Sequence, residues 1–268
     1  MATPGATELF PGACLIVAAH PDDEVIGIGG QLAQLPGASV VHVTDGAPRV
    51  EEVVRRAGFA TPAAYAEVRR AEAQAALALA NIGPERLHAF EIADGEATDG
   101  LIDLAWRLAA LIDAGDIDTV VTHPYEGGHV DHDATAFAVR AACALLRRDG
   151  VRVPAIMEMT SYHNAGGSLA AGVFLPATDC PETALALTPG ERARKARMLS
   201  CHATQRQTLT LFSLDVERFR PAPAYDFTRP PHEGPLLYEL LQHARMSAPE
   251  WRARAAAAST ALRLDAKG

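Results

Sequence analysis

The chain of 268 residues lacks the features that define several large classes of protein. Its four cysteines form no Cys-x-x-Cys pair, which argues against a zinc ribbon and favours reduced thiols in a core. No apolar run approaches the roughly 18 residues of a spanning helix, so we expect no transmembrane segment. Residues 1–11 lack a basic region, so the apolar run behind them is expected to be a strand and not a signal segment. We therefore expect a cytoplasmic protein.

Clustered positive charge is also scarce. The formal net charge is −9 at pH 7, with 24 Lys and Arg against 33 Asp and Glu. Phosphate binding needs clustered Lys and Arg, so neither nucleic acid nor an anionic membrane surface is expected as the main partner. The few arginine pairs, such as Arg55-Arg56 and Arg147-Arg148, are interpreted as solvated helix faces.

What the sequence does contain is an alternation of strand-like and helix-like segments. Such alternation is typical of right-handed βαβ crossovers on a parallel sheet. We predict an α/β fold: a Rossmann-like, mostly parallel sheet flanked by helices, with a smaller antiparallel extension in the C-terminal half. We predict a single domain over residues 1–268, with its core at about 12–205 and C-terminal loops and a helix at about 206–268.

The apolar and helix-forming patterns place these elements along the chain. Strands are predicted at 14–17, 39–47, 87–92, 118–121, 155–163, 172–176 and 183–188, and helices at 24–35, 63–82, 101–114, 133–148, 189–202 and 247–264. The Pro-rich segment 220–235 is expected to be extended, either as a loop beside the substrate pocket or as a surface strap. The C-terminal helix is expected to pack on the domain or to contact another subunit, which leaves a homo-oligomer open.

The first chemical motif directly follows the first predicted strand. It reads His20-Pro21-Asp22-Asp23-Glu24. An imidazole and a carboxylate three residues apart can hold one divalent metal, which leaves the extra carboxylate of Asp22 free to handle a proton. The simpler interpretation is an exposed turn before a capped helix.

A second polar cluster follows the predicted strand 118–121 and contains His129-Val130-Asp131-His132. The carboxyl ends of parallel strands meet at one edge of a sheet, so this turn can bring a third ligand to the first one. Three protein ligands and a water make a catalytic zinc site, whereas structural zinc sites are closed by four protein ligands.

Together the two motifs resemble the PIG-L (LmbE-like) family of zinc-dependent N-acetylglucosaminyl deacetylases. The resemblance covers roughly the first half of the chain well and the second half loosely. It implies one Zn²⁺ per chain, or another divalent metal in its place. It also implies the role of each site residue: His20, Asp23 and His132 as metal ligands, Asp22 as general base, His129 as the group that steadies the tetrahedral intermediate, and Asp131 as its neighbour. Val130 stands where the family's commonest motif has proline.

A further candidate lies on the predicted helix 63–82, where Arg69 and Glu72 fall on one face. The simple interpretation is an ion pair within the helix. The resemblance implies instead that Arg69 reaches the hydroxyl groups of a sugar, with Arg70 as the alternative if the helix is rotated. Later in the chain, residues 201–205 resemble a Cys-His-x-Ser-Gln motif of the family, with threonine in place of serine. His163 and His202 are candidate pocket residues or buried structural histidines.

These observations predict a zinc-dependent hydrolase that removes an N-acetyl or similar small N-acyl group from an amino sugar or an N-acetylglucosamine-containing glycoconjugate. Metal-activated water would attack, with Asp22 as general base and a protonated His129, supported by Asp131, at the oxyanion. One alternative is an amidase of a thiol conjugate, or a deacylase of a glycosylated natural product, on the same scaffold. Another is a metal-free, nucleotide-binding Rossmann-like protein, for which the glycines at 27–30 are the only support.

Overall fold

The computed structural model describes residues 5–240 and 246–264. Strands of one seven-stranded sheet run through the centre of the molecule. They are β1 (Cys14–Ala18), β2 (Ser39–Pro48), β3 (Leu87–Asp94), β4 (Thr119–Thr122), β5 (Ala155–Met159), β8 (Thr183–Ala186) and β9 (Val216–Pro221), and a separate hairpin contains β6 (Tyr162–Ala165) and β7 (Ser168–Ala171).

The strand order in the large sheet is β3-β2-β1-β4-β5-β9-β8. The pairs β3-β2, β2-β1, β1-β4 and β4-β5 are parallel, whereas β5-β9 and β9-β8 are antiparallel. This order confirms the predicted fold class, a mostly parallel sheet with an antiparallel extension formed by the second half of the chain. The order also reverses direction next to β1, between the connections to β2 and to β4, and such switch points are where α/β sheets place their ligands.

Helices cover both faces of the sheet. They are α1 (Ala6–Leu9), α2 (Asp23–Ile28), α3 (Glu51–Arg56), α4 (Pro62–Ala78), α5 (Leu101–Ala114), α6 (Val130–Arg148), α7 (Pro189–Cys201), α8 (Arg206–Leu209) and α9 (Ala248–Leu262). Two of the long helices begin at residues that cap them. The side chain of Thr61 accepts a hydrogen bond from the first turn of α4, and Ser247 forms a capping box with Glu250 in α9.

Alternate residues of the buried strands point to opposite faces and so contribute to two cores. Leu15 and Val17 of β1 pack with α5, α6 and α9, whereas Cys14 and Ile16 pack with α2 and α7. The C-terminal helix α9 belongs to the first core, because Trp251 is fully buried there and its Nε1 donates to the Val130 carbonyl at 3.2 Å. Packing of this helix on its own chain is therefore confirmed. No helix in the described ranges has both the length and the apolar character to cross a membrane.

Three predicted elements differ from the structure. The helix predicted over 24–35 ends at Ile28, where Gly29 and Gly30 interrupt it. The strand predicted over 155–163 is two strands, because the chain leaves the large sheet after Met159 and crosses over the second polar turn. Gly128 of that turn lies against the Tyr162 carbonyl so closely that a Cβ there would clash at 1.9 Å. The strand predicted over 172–176 is wrong, and β7 lies just before it instead.

The Pro-rich segment begins with a strand and not with a loop. Strand β9 lies between β5 and β8 and ends at Pro221. Its Arg220 is buried and donates to Glu158 of β5 at 2.8 Å and to Glu126 of the second polar turn at 3.2 Å. Farther along, the hydroxyl of Tyr125 donates to the Arg229 carbonyl at 2.9 Å. This segment therefore packs against the turn that carries the second motif.

Candidate metal centre

Two polar turns meet at the carboxyl edge of the sheet because their strands are neighbours. β1 and β4 pair in parallel, with Val17 beside Thr122, so the chain leaves both strands at the same edge. The first turn leads into α2 and the second leads into α6. The two motifs, more than a hundred residues apart in sequence, consequently face each other.

One cluster at this edge contains the three predicted metal ligands, His20, Asp23 and His132, whose ligand atoms all lie within 4.8 Å of one another. His20 Nδ1 is 3.0 Å from Asp23 Oδ2, and His132 Nε2 is 3.3 Å from both of these atoms. All three side chains are buried. The structure thus brings together the residues that the sequence paired across the two turns.

The chemistry of this cluster fits a divalent metal. Two imidazole nitrogens and one carboxylate form a three-ligand set of the kind that catalytic zinc sites use. Burial lowers the pKa of His132 well below its usual value, so the ring is neutral and keeps a lone pair for a cation. Burial raises the pKa of Asp23, but the adjacent His132 and His123 outweigh it and hold the carboxyl well below its usual range.

Neighbouring groups fix the orientation of these ligands. Asp131 Oδ2 lies 3.1 Å from His20 Nε2, which favours a proton on that nitrogen and leaves Nδ1 free to face Asp23 and His132. Ser161 Oγ lies 3.1 Å from His132 Nδ1 and has the same effect on the second imidazole. Metal sites commonly hold their histidines in this way, through the ring nitrogen that does not bind the ion.

His123 is a residue of the site that sequence reasoning missed. Its ring stacks on that of His132, with centroids 4.1 Å apart and an angle of 11° between the planes. Its Nε2 accepts from the Ala19 amide at 3.0 Å, which ties the second turn to the first. The sequence carried a signal for it, because a His-Pro dipeptide opens both polar turns.

A second cluster shares His20 and adds Asp94, His129 and Asp131, with ligand atoms again within 4.8 Å of one another. Asp94 ends β3, and its Oδ1 lies 3.5 Å from His20 Nε2 and 3.9 Å from His129 Nε2. Burial alone would lower the pKa of His20, but the carboxylates of Asp131, Asp23 and Asp94 together raise it well above its usual value. So much negative charge around one imidazole attracts a cation.

Asp22 lies beside the ligand cluster in a strained backbone conformation. Its φ is 147°, a value that residues with a side chain rarely adopt. Its amide donates to Glu24 Oε2 at 3.2 Å, and its Oδ2 accepts from Arg69 Nη2 at 3.0 Å. Burial raises the pKa of Asp22 to about 7, although the guanidinium of Arg69 opposes the rise.

Arg69 is buried and makes its contacts within the protein. Besides Asp22, it donates to the carbonyls of Gly46 at 2.7 Å and Pro21 at 2.8 Å. The interpretation of an ion pair with Glu72 is not supported, since the Glu72 carboxylate accepts from the amide and hydroxyl of Thr204. The alternative candidate Arg70 is exposed.

His129 caps the N-terminus of α6. Its Nδ1 accepts from the Asp131 amide at 3.2 Å, which favours the proton on Nε2, whereas the Asp131 carboxylate is 3.8 Å from the same Nδ1. Burial, and then the neighbouring His20, lower the pKa of His129. The ring is therefore neutral in this arrangement, unlike the protonated form expected from the sequence, but it can still donate from Nε2.

The two remaining candidate histidines lie outside both clusters. His163 is buried, with its Nδ1 3.3 Å from Glu126 Oε2 beneath the second turn. His202 is fully buried at the end of α7, and burial lowers its pKa to about 4, which keeps it neutral.

Comparison with known proteins agrees with this geometry. The family model of the GlcNAc-PI de-N-acetylases, PIG-L, matches residues 15–143, which include both polar turns. A search of curated protein sequences finds no match. The match to the family model ends within α6, so β5, β8 and β9, which complete the large sheet, and the hairpin of β6 and β7 lie beyond it.

Solved structures with a similar fold include deacetylases and a hydratase. A deacetylase of teicoplanin biosynthesis superposes with a TM-score of 0.60 at 20% identity, covering 78% of this chain and 97% of that one. A zinc-inhibited form of teicoplanin deacetylase gives a TM-score of 0.57 at 19% identity with the same coverage. The N,N'-diacetylchitobiose deacetylase of Pyrococcus horikoshii gives 0.54 at 20% identity, covering 79% and 84%. The 4-carboxy-2-hydroxymuconate hydratase of Pseudomonas putida gives 0.56 at 21% identity, covering 74% and 82%. At these identities the likeness is one of fold.

Proposed function

Since the PIG-L family model matches residues 15–143, which carry both polar turns, we propose that this chain is a metal-dependent hydrolase of that family that removes an acetyl or similar small acyl group from the nitrogen of an amino sugar. The observation that carries the proposal is the buried cluster of His20, Asp23 and His132 with the carboxylate of Asp22 beside it. We propose Zn²⁺, one per chain, as the ion because two imidazoles and one carboxylate suit it. The metal, once bound, supplies an activated water and polarises the acyl oxygen.

Asp22 is the proposed general base. Its buried carboxyl has a pKa of about 7, near the pH at which a base both holds its ionised form and accepts protons well. Asp22 takes the proton of the attacking water and returns it to the departing amine. Arg69 holds the carboxylate in place, and the predicted contact of Arg69 with sugar hydroxyls stays a prediction.

His129 is the proposed donor to the oxyanion that forms as water attacks. The ring has its Nδ1 occupied by the Asp131 amide, so Nε2 carries the proton and is available to donate. The proposed role of Asp131 is indirect. Its carboxylate accepts from the Gly95 amide at 2.6 Å and the Ala97 amide at 3.0 Å, and it contacts His20 Nε2. Asp131 therefore holds the ligand His20 in its binding orientation while its own backbone orients His129.

The proposed substrates are N-acetylated sugars, free or attached to a larger aglycone. The structural relatives include deacetylases, among them one of teicoplanin biosynthesis and one of N,N'-diacetylchitobiose. Both names state the removal of an acetyl group, and the second names a substrate that is an N-acetylated amino sugar. The buried His/Asp clusters also disfavour the metal-free nucleotide-binding alternative, since they leave several carboxylates facing one another without a cation.

A substrate panel tests the proposal, and it is needed because a hydratase shares the fold. The zinc-loaded protein is incubated with N-acetylglucosamine, N,N'-diacetylchitobiose, an N-acylated glycopeptide, an N-acylated aminosugar–thiol conjugate and an enol-containing dicarboxylate. Released carboxylic acid and free amine are both measured, and hydration of the dicarboxylate is followed by the loss of its conjugated absorbance. Release of carboxylic acid and free amine in equal amounts from an N-acetylated sugar supports the proposal. Turnover of the dicarboxylate alone contradicts it. Turnover of the thiol conjugate alone supports the alternative function, an amidase that acts on thiol conjugates.

A further inference from the structure

One face of α4 connects the proposed base to the second half of the chain. Tyr65, Arg69 and Glu72 are spaced four and three residues apart, so their side chains lie on the same face of the helix. Arg69, in the middle, points to Asp22. The two flanking residues contact the segment 203–205, which follows α7 and lies outside the residues that match the family model.

The contacts between this segment and α4 are short and specific. Thr204 donates twice to the Glu72 carboxylate, from its amide at 3.0 Å and from its hydroxyl at 2.7 Å. Gln205 Nε2 donates to the Tyr65 hydroxyl at 2.7 Å. Tyr65 is 6% exposed, and the two contacts lie about one helical turn on either side of Arg69. The segment thus holds α4 at two points around the arginine.

The conformation of Asp22 makes this attachment relevant to the reaction. Its φ of 147° costs energy and persists only where surrounding contacts impose it. Arg69 supplies such contacts, because it binds the Asp22 carboxylate and the Pro21 carbonyl of the same turn. The guanidinium can reach both groups only while α4 keeps its position over that turn.

We propose that Thr204 and Gln205 are positioning residues for the general base. They fix α4 through Glu72 and Tyr65, and α4 in turn holds Arg69 on Asp22 and on the backbone of the first polar turn. The inference rests on the proposed function in one respect, namely that Asp22 is the base. Since a displacement of about 1 Å can lower a rate by about 10²-fold, loosening α4 should lower kcat.

The competing explanation is that these hydrogen bonds only attach α7 to α4. Apolar residues also join the two helices, among them Ala76 and Met198 in the second core. In that case the loss of one hydrogen bond would lower the stability of the protein without changing the geometry of the first turn. The two explanations predict different values of kcat for such a variant. They also predict different rates of amide hydrogen exchange in the first polar turn.

The first test is a matched set of substitutions. Thr204→Val removes the hydroxyl that donates to Glu72 but keeps the amide contact, and Thr204→Ser restores the hydroxyl. Thr210→Val is the control, because the Thr210 hydroxyl is exposed and donates to the nearby Gln207 carbonyl at 2.7 Å. We expect Thr204→Val to lower kcat by about 10- to 100-fold with a nearly unchanged KM and full metal content. Thr204→Ser and Thr210→Val should retain wild-type kcat.

A double-mutant cycle shows whether Thr204 acts through Arg69. Arg69→Met is combined with Thr204→Val, and the inference predicts that Thr204→Val has little further effect on kcat once Arg69 is absent. Losses that multiply independently would overturn the inference. So would an unchanged kcat in Thr204→Val and in Gln205→Leu.

Amide hydrogen exchange provides a readout that does not depend on the reaction. In the zinc-loaded Thr204→Val protein, the peptide covering residues 20–26 should exchange faster than in the wild type, whereas Thr210→Val should leave it unchanged. Faster exchange without any deacetylation by the wild type would refute the proposed function and leave the coupling standing. Unchanged exchange at residues 20–26 would refute the coupling, whatever the activity.

Discussion

The carboxylate of Asp22 lies 3.0 Å from the guanidinium of Arg69, and both side chains are buried. Burial and the neighbouring guanidinium have opposing effects on the pKa of Asp22. Burial raises the pKa of Asp22 to about 7, and Arg69 keeps it from rising further. A carboxyl group with a pKa in that range can accept a proton from water during attack and give it up to an amine afterwards.

Replacement of Asp22 by Asn is expected to leave metal binding intact and to remove most of the activity. The amide has nearly the size of the carboxylate but cannot accept the proton of water at neutral pH. The loss of kcat should be about 10²–10⁴-fold, the usual contribution of a general base. Elemental analysis and acetate release on the same sample check both parts. An Asp22→Asn protein with bound metal and a near-normal rate would exclude Asp22 as the base.

The pH profile should report the ionisation of Asp22. The base acts only when ionised, so kcat/KM should fall as the pH drops through the pKa of this group. That acid limb should lie at or below about pH 7, since a bound cation lowers the value further. Arg69→Met removes a neighbouring positive charge and should move the limb to higher pH. A limb that stays in place in Arg69→Met would mean that another group controls it.

The metal should be lost when a ligand is removed. His132→Ala leaves two of the three ligands, so we expect metal content to fall from about one ion per chain to a small fraction. His88→Ala is a suitable control, because His88 lies on β3 outside both His/Asp clusters of the described residues. Elemental analysis after dialysis against a weak chelator is the measurement. Full metal content in His132→Ala would show that the wrong residues of the two turns had been paired.

His129 should matter for the rate and not for the metal. We expect His129→Ala to bind zinc normally while kcat falls by about 10²–10³-fold, as when one oxyanion donor is deleted. Alanine also removes the cap of α6, so His129→Asn serves as the control, because asparagine caps helices well. If Asn restores the thermal stability but not the rate, the oxyanion role is supported. A rate restored together with the stability would reduce His129 to a helix cap.

The sequence predicted the part of the site that depends on local patterns. β1 and β4 are apolar runs, each followed by a His/Asp-rich turn, and parallel strands bring such turns to the same edge. That reasoning was enough to pair His20 with Asp23 and to bring a third ligand from the second turn, whereas the choice of His132 over His129 came from the resemblance to the PIG-L family. The single domain, the cytoplasmic location and a homo-oligomer stay predictions.

The features that the sequence did not predict depend on contacts between residues that are far apart in the sequence. Strand β9 carries Glu217 and Arg220, and no strand was predicted at this place. Both are buried because each has a partner, Lys195 at 2.7 Å and Glu158 at 2.8 Å. Pairing of this kind cannot be foreseen from local periodicity. Likewise, the contact of His129 Nδ1 with the Asp131 amide arises from the position of His129 as a cap, which spacing alone does not fix.

The central claim is that one metal, held by His20, Asp23 and His132, makes this protein an N-deacylase. The most direct measurement is a titration of the chelator-stripped protein with Zn²⁺, following acetate release from the best N-acetylated sugar of the panel. The account predicts almost no release without metal, a linear rise up to one equivalent per chain, and no rise for His132→Ala. Full activity in the stripped protein, or a rise in His132→Ala equal to that of the wild type, would contradict it.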